Sequence, residues 1–309
     1  MEWAAHHAVA IGSALLAAFF AAVGIVVRQR AIQDETASRE DPGAIVTSWV
    51  RRPAWWAGTL GAVFGYLFQA IALAHGSLLL VQPLLVSSLL FVLPLGARFS
   101  KQHVTAADWW WALALTTALT VFVLVGQPRE GHYRPPVPAW SVALAGAVPV
   151  VIICVAAARR TVGRTRAMLL ATAVAVLLGM IAVLTKVSTH RLAIGGWHGL
   201  LTVPAPYLLI ALAVTVTVLQ QSAFHAGALQ ASVPIMLVGE PVVAVLLGVV
   251  ILGEHLIVRG VGALILAVAV AAMTAATIAL GRESGAQITQ VVDTTTPIRR
   301  PAWDVTSTT

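Results

Sequence analysis

The polar side chains that could do chemistry in this chain are few, and they stand in apolar surroundings. Glu240 lies inside the stretch 231–252, which is otherwise almost wholly apolar, and Pro241 follows it at once. A helix of that length spans the roughly 30 Å hydrocarbon core of a bilayer, which places Glu240 near midplane, about 14 Å from one end. A carboxylate at that depth costs on the order of 2.5–3.5 kcal/mol on insertion scales, so it is expected where something polar binds or passes. Gln69, Gln82, Gln220 and Gln221 are the other candidate binding side chains in apolar runs. Each amide can line a cavity or join neighbouring helices by hydrogen bonds. Pro83, Pro94, Pro234 and Pro241 interrupt two of those runs in comparable places. A proline frees a carbonyl, which at membrane depth is tolerated only beside protein or water, so these four are the candidate cavity-shaping residues.

The elements that must hold these groups follow from composition. The chain has 309 residues, 59% hydrophobic and only 10% charged, with a mean hydropathy of +0.89. Soluble domains carry roughly a quarter charged residues, so the expectation is an all-α integral membrane protein. The net charge of +7 does not point to nucleic acid, because the arginines sit in short loops between apolar runs. The single cysteine, Cys154, excludes an intrachain disulfide and a cysteine metal cluster. No P-loop, nucleophile elbow or HExxH motif is present, so no enzyme is expected, and neither is a cofactor.

Apolar runs of spanning length predict about nine transmembrane helices, near 8–27, 54–74, 78–99, 106–126, 140–158, 168–187, 204–226, 231–252 and 256–280. Trp55, Trp56, Trp109, Trp110, Trp140 and Tyr207 mark edges where amphipathic rings meet headgroups. Small residues in span one, Gly12, Ser13, Ala17, Ala18, Ala21 and Ala22, suit close helix approach. With the amino end outside, the inner loops hold eleven Lys and Arg residues and the outer loops five, which predicts an outer amino terminus and a cytoplasmic carboxyl terminus. The segment 282–309, rich in Thr with Pro297 and Pro301, reads as a disordered tail after a membrane domain over 1–281.

Internal similarity supplies a second signal. Setting Gln69 over Gln220 brings Ala72 over Ala223, Gly76 over Gly227, Leu78 over Leu229 and Pro83 over Pro234 without a gap. A one-residue shift then places His103 over His255. Spans one to four (about 8–126) thus repeat as spans six to nine (about 168–280), with span five (about 140–158) as connector. An odd offset of five spans makes the two copies antiparallel, the inverted-repeat arrangement of secondary transporters.

The segments LVQPLLVSSLLFVLPL (80–95), GEPVVAVLLGVVILGEHL (239–256) and VVRQRA (26–31) carry a family resemblance. They resemble the drug/metabolite transporter superfamily, and within it the EamA-like and NIPA-like actinobacterial members; the NIPA-like branch is similar in having about nine spans. The resemblance implies paired helical repeats and a secondary carrier of the bacterial inner membrane, moving a small polar or amphipathic solute. Magnesium or another divalent cation is the alternative cargo that it implies. A non-transporting membrane partner or lipid-handling subunit is the competing class. A homodimer is compatible with such a chain.

Two further expectations concern the acids. Lys186 falls near the outer end of span six and Arg28 near the inner end of span one, so no cation lies at the depth of Glu240. Glu240 is therefore expected to hold a proton when unliganded, with H+ and solute competing for it. Glu254, some 21 Å further along by helical rise, is too distant to share a metal with Glu240. His75 and His225 fall at opposite faces and read as interfacial residues.

Overall fold

The structure is a computed structural model and describes residues 7–36, 53–99, 105–129, 131, 137–226, 229–256, 258 and 260–295. Its helices are α1 (Ala8–Thr36), α2 (Pro53–His75), α3 (Leu78–Leu85), α4 (Ser88–Phe99), α5 (Ala106–Gly126), α6 (Val137–Ala158), α7 (Gly163–Leu201), α8 (Ala205–His225), α9 (Leu229–Leu247) and α10 (Val261–Thr295). A π-helical turn, Gly248–Leu252, continues α9. The strands β1 (Pro128–Arg129) and β2 (His255–Leu256) form one short antiparallel pair, Pro128 opposite Leu256. Among the described residues nine segments are long and apolar enough to cross a membrane, and many large apolar side chains, such as Leu124, Ile153 and Ile210, face outward. Such a surface needs lipid around it.

Local sequence sets where the helices begin and break. Thr105 and Asp108 form a reciprocal cap at the start of α5: the Asp108 N–H donates to Thr105 Oγ1 at 3.3 Å, and the Thr105 N–H donates to Asp108 Oδ2 at 2.7 Å. Span three, expected as one helix, is two. Pro83 cannot donate to the carbonyl one turn back, and the chain crosses Val86–Ser87 on tighter bonds such as Val86 N–H to Pro83 O and Ser87 N–H to Leu84 O. Span six runs on past its expected end at 187 to Leu201, because no proline interrupts it and its kink waits for Gly196 at φ 56. The expected disordered tail also begins as helix. α10 carries through Arg282 to Thr295, since 282–295 contains Glu, Ala and Gln and no proline before Pro297. The tail beyond 295 lies outside the described residues.

α7 is the central helix, largely buried between Ala167 and Ser188, whereas α8 is mostly exposed. It takes α9, α8 and α6 on its sides, while α1 packs on α2, α3 and α4, and α5 packs on α10. The α1–α2 contact is backbone-close: a Cβ on Gly65 would stand 3.2 Å from Ala21 N and 3.4 Å from Ala17 O. Ala17 and Ala21 of span one therefore do allow close approach, whereas Gly12 meets nothing within 4 Å, and dispersion between backbones replaces a hydrophobic drive that lipid removes. One buried cluster draws on both halves of the chain, with Leu73, Leu78 and Leu84 from the first and Val183, Leu247 and Ile251 from the second.

Candidate functional site

Among the described residues the most deeply buried charges are Lys186 and Glu254, and four segments converge to hold them. α7 presents Lys186 from its interior, not from a helix end. The π-turn ends on Gly253 in the left-handed region (φ 66, ψ 27), and this turn sends Glu254 back under the bundle. Gly248 leaves the space the carboxylate needs: a Cβ there would stand 3.0 Å from Glu254 Oε2 and 3.2 Å from Leu78 Cβ.

Lys186 Nζ lies 2.7 Å from Glu254 Oε1, with side-chain exposures of 3% and 0%. Nζ also donates to Gly76 O at 2.8 Å. The carboxylate accepts from Leu78 N–H at 2.9 Å on Oε1 and from Leu79 N–H at 3.1 Å on Oε2. Those donors are orphan amides at the first turn of α3, where the helix dipole also favours negative charge. Ser77 caps the same turn by accepting from Leu80 N–H. Nearby, Tyr66 OH and Thr185 Oγ1 stand 2.8 Å apart, joining α2 to α7. A buried pair whose charges are also hydrogen-bonded offsets much of its desolvation cost.

Against α3 and α9, between them and α5 and α10, lies a cavity of about 250 Å³. Leu79, Pro83 and Val86 line it from the first half; Leu237, Pro241 and Val245 line it from the second, with Phe122, Leu256 and Met273. Its hydroxyls, Thr274 and Thr277, bond back to the carbonyls of Val270 and Met273. Leu79 connects the two features: its backbone holds Glu254 and its side chain lines the cavity.

The candidate residues named from sequence are dispersed. Pro83 and Pro241 meet across the cavity, whereas Pro234 is buried beside Gly281 of α10 and Pro94 is exposed on α4. Gln82 is buried on α3, and its Nε2 has no hydrogen-bond partner among the described residues. Gln69 and Gln220 are half-buried on α2 and α8, and Gln221 is exposed. Glu240 is half-buried on α9 and is not among the cavity wall residues; its neighbour Gly239 packs on Ala175 of α7. The cavity is thus apolar, and Glu240 is not the sole acid inside the bundle. Among the described residues no group of three His, Cys, Asp or Glu side chains could hold a metal ion.

Lys186 and Glu254 are not among the functional candidates named from sequence, yet a signal for them is present. Both fall at the same face by alternation of the spans, as does Gly76 at the end of span two. Their contacts bring the three residues together.

Fold and site define an all-α, multi-pass membrane protein. The chain is 34% identical over 278 residues, 88% of its length, to the uncharacterized protein Cgl0250/cg0304 of Corynebacterium glutamicum, of which it covers 94%, and it belongs to the same family. No family model matches the chain. No solved structure matches it either.

Proposed function

We propose that this chain is a gradient-driven carrier, of the drug/metabolite transporter kind, that moves a small amphipathic solute by alternating access. The cavity between the broken third span and the proline-interrupted eighth span carries this reading. Discontinuous helices at corresponding positions of two halves are the usual place for a transporter's binding site. The packing supports an inverted repeat: α1 on α2 and on α3–α4 corresponds to α7 on α8 and on α9, while the fourth and ninth spans, α5 and α10, pack on each other.

Volume narrows the cargo. At about 250 Å³ the cavity lies just below the roughly 300–1,000 Å³ of drug-sized pockets, which favours a small solute. Its apolar walls favour a solute with an apolar body. In this reading the Lys186–Glu254 pair and the β1–β2 contact close one face, and Glu240 couples movement to H+. The chain lies in the bacterial plasma membrane with its amino end outside, as the arginine bias supports.

The test is flux into proteoliposomes across a panel of small amphipathic solutes and divalent cations, with Thr274→Phe as the cavity-filled control. Solute flux lost in that control supports the reading. A control that transports as fast as the parent, or flux confined to cations, sinks it.

A further inference from the structure

A second concave feature lies far from the cavity. α6 and α8 both rest on α7 and leave between them a groove of about 560 Å³ that opens outward. Its length is apolar, with Ile152, Val155 and Ala156 on one wall and Leu219 on the other, and Arg159 and Arg160 stand at its end. The one hydroxyl, Thr215, bonds to Ala211 O and asks nothing of an occupant. Both arginines are exposed, and among the described residues no acidic side chain lines the groove.

From Ile152 to Arg160 is about 12 Å along a helix, close to the roughly 15 Å of one bilayer leaflet. The feature is therefore an apolar slot as deep as one leaflet with two guanidiniums at its headgroup end. We propose that it is a binding site for an anionic phospholipid, with an acyl chain in the groove and the phosphodiester on Arg159 and Arg160. Guanidinium donors match phosphate oxygens in fork geometry, and basic pockets between transmembrane helices suit anionic headgroups. A neighbouring helix would need an acid at the same depth; a phospholipid supplies that charge where the arginines lie. The site stands independently of the transport reading.

The experiment reconstitutes the full chain in vesicles of equal phosphatidylglycerol and phosphatidylcholine and counts co-purified lipids by native mass spectrometry. Phosphatidylglycerol is expected to be retained over phosphatidylcholine. Arg159→Gln with Arg160→Gln reduces that preference on the order of tenfold, by loss of two surface charges and their phosphate contacts. Arg164→Gln with Arg166→Gln, exposed on the first turn of α7 outside the groove, leaves most of it. Ala156→Trp, which fills the slot without changing charge, also abolishes retention. The site is refuted by equal retention of both lipids, by equal loss from either arginine pair, or by retention that survives Ala156→Trp. A protein dimer that depends on the same residues likewise refutes it.

Discussion

Lys186 Nζ and Glu254 Oε1 lie 2.7 Å apart, and their contact ties the central helix α7 to the turn after span eight and, through Gly76, Leu78 and Leu79, to the join of α2 and α3. Two halves of the chain are thereby fastened to each other by buried charges. Removing Glu254 or Lys186 alone leaves an opposite charge buried without its ion-pair partner. Lys186→Met and Glu254→Gln should each lower stability by roughly 3–5 kcal/mol, while the double variant costs much less than their sum. Unfolding in detergent micelles measures this; additive losses would show that the pair does not act as a unit.

Gly248 tests the same site through shape. Gly248→Ala puts a methyl 3.0 Å from Glu254 Oε2 and 3.2 Å from Leu78 Cβ, and α3 and the π-turn must part to admit it. The expected cost is about 1–3 kcal/mol. Gly12→Ala, where nothing lies within 4 Å, should cost nothing measurable and serves as the comparison.

The Tyr66–Thr185 contact next to the ion pair is a neutral hydrogen bond between half-exposed and buried groups. Tyr66→Phe should therefore lower stability by only about 0.6 kcal/mol, the usual size for such bonds in membranes. A loss as large as that of Lys186→Met would mean that the tyrosine hydroxyl belongs to the ionic cluster.

If the cavity holds solute, a ring inserted at Thr274 or Val245 should block it while leaving the charged cluster untouched. Flux through Thr274→Phe or Val245→Phe is expected to fall roughly tenfold or more, because a space this small cannot hold both a ring and a solute. Melting temperatures close to the parent's would separate blockage from misfolding.

Glu240 bears on coupling. Glu240 stands beside Pro241 of the cavity wall and not in it, so if its deprotonation, acting through α9, favours the solute-bound arrangement, raising pH strengthens apparent solute affinity. Glu240→Gln should flatten that dependence while the protein still reaches the membrane. Glu240→Leu should reduce flux as well. A full pH dependence in Glu240→Gln would remove Glu240 from the coupling step.

Much of the architecture was readable in the chain because lipid leaves few choices. A run of about twenty apolar residues has to satisfy its own backbone as helix, and among the described residues nine such runs are helical, most of them near their expected bounds. The discrepancies arise where hydropathy and helix propensity part company. The apolar run of span six ends near Val187, yet helix continues past it to a kink at Gly196 and resumes to Leu201, and α10 likewise outlasts its apolar stretch. Span three shows the reverse, an apolar run broken at Val86–Ser87 after Pro83.

Composition and hydropathy were thus enough for the class and for the nine apolar helical runs, since each depends on the free energy of a residue type in hydrocarbon summed along one stretch. They also marked Glu240 as costly. Which acid is fully buried emerges from the packing alone, because burial depends on what the chain brings alongside. Depth along one helix singled out Glu240, whereas Gly253 folds Glu254 inward to meet a lysine 68 residues away and the amides of a third helix.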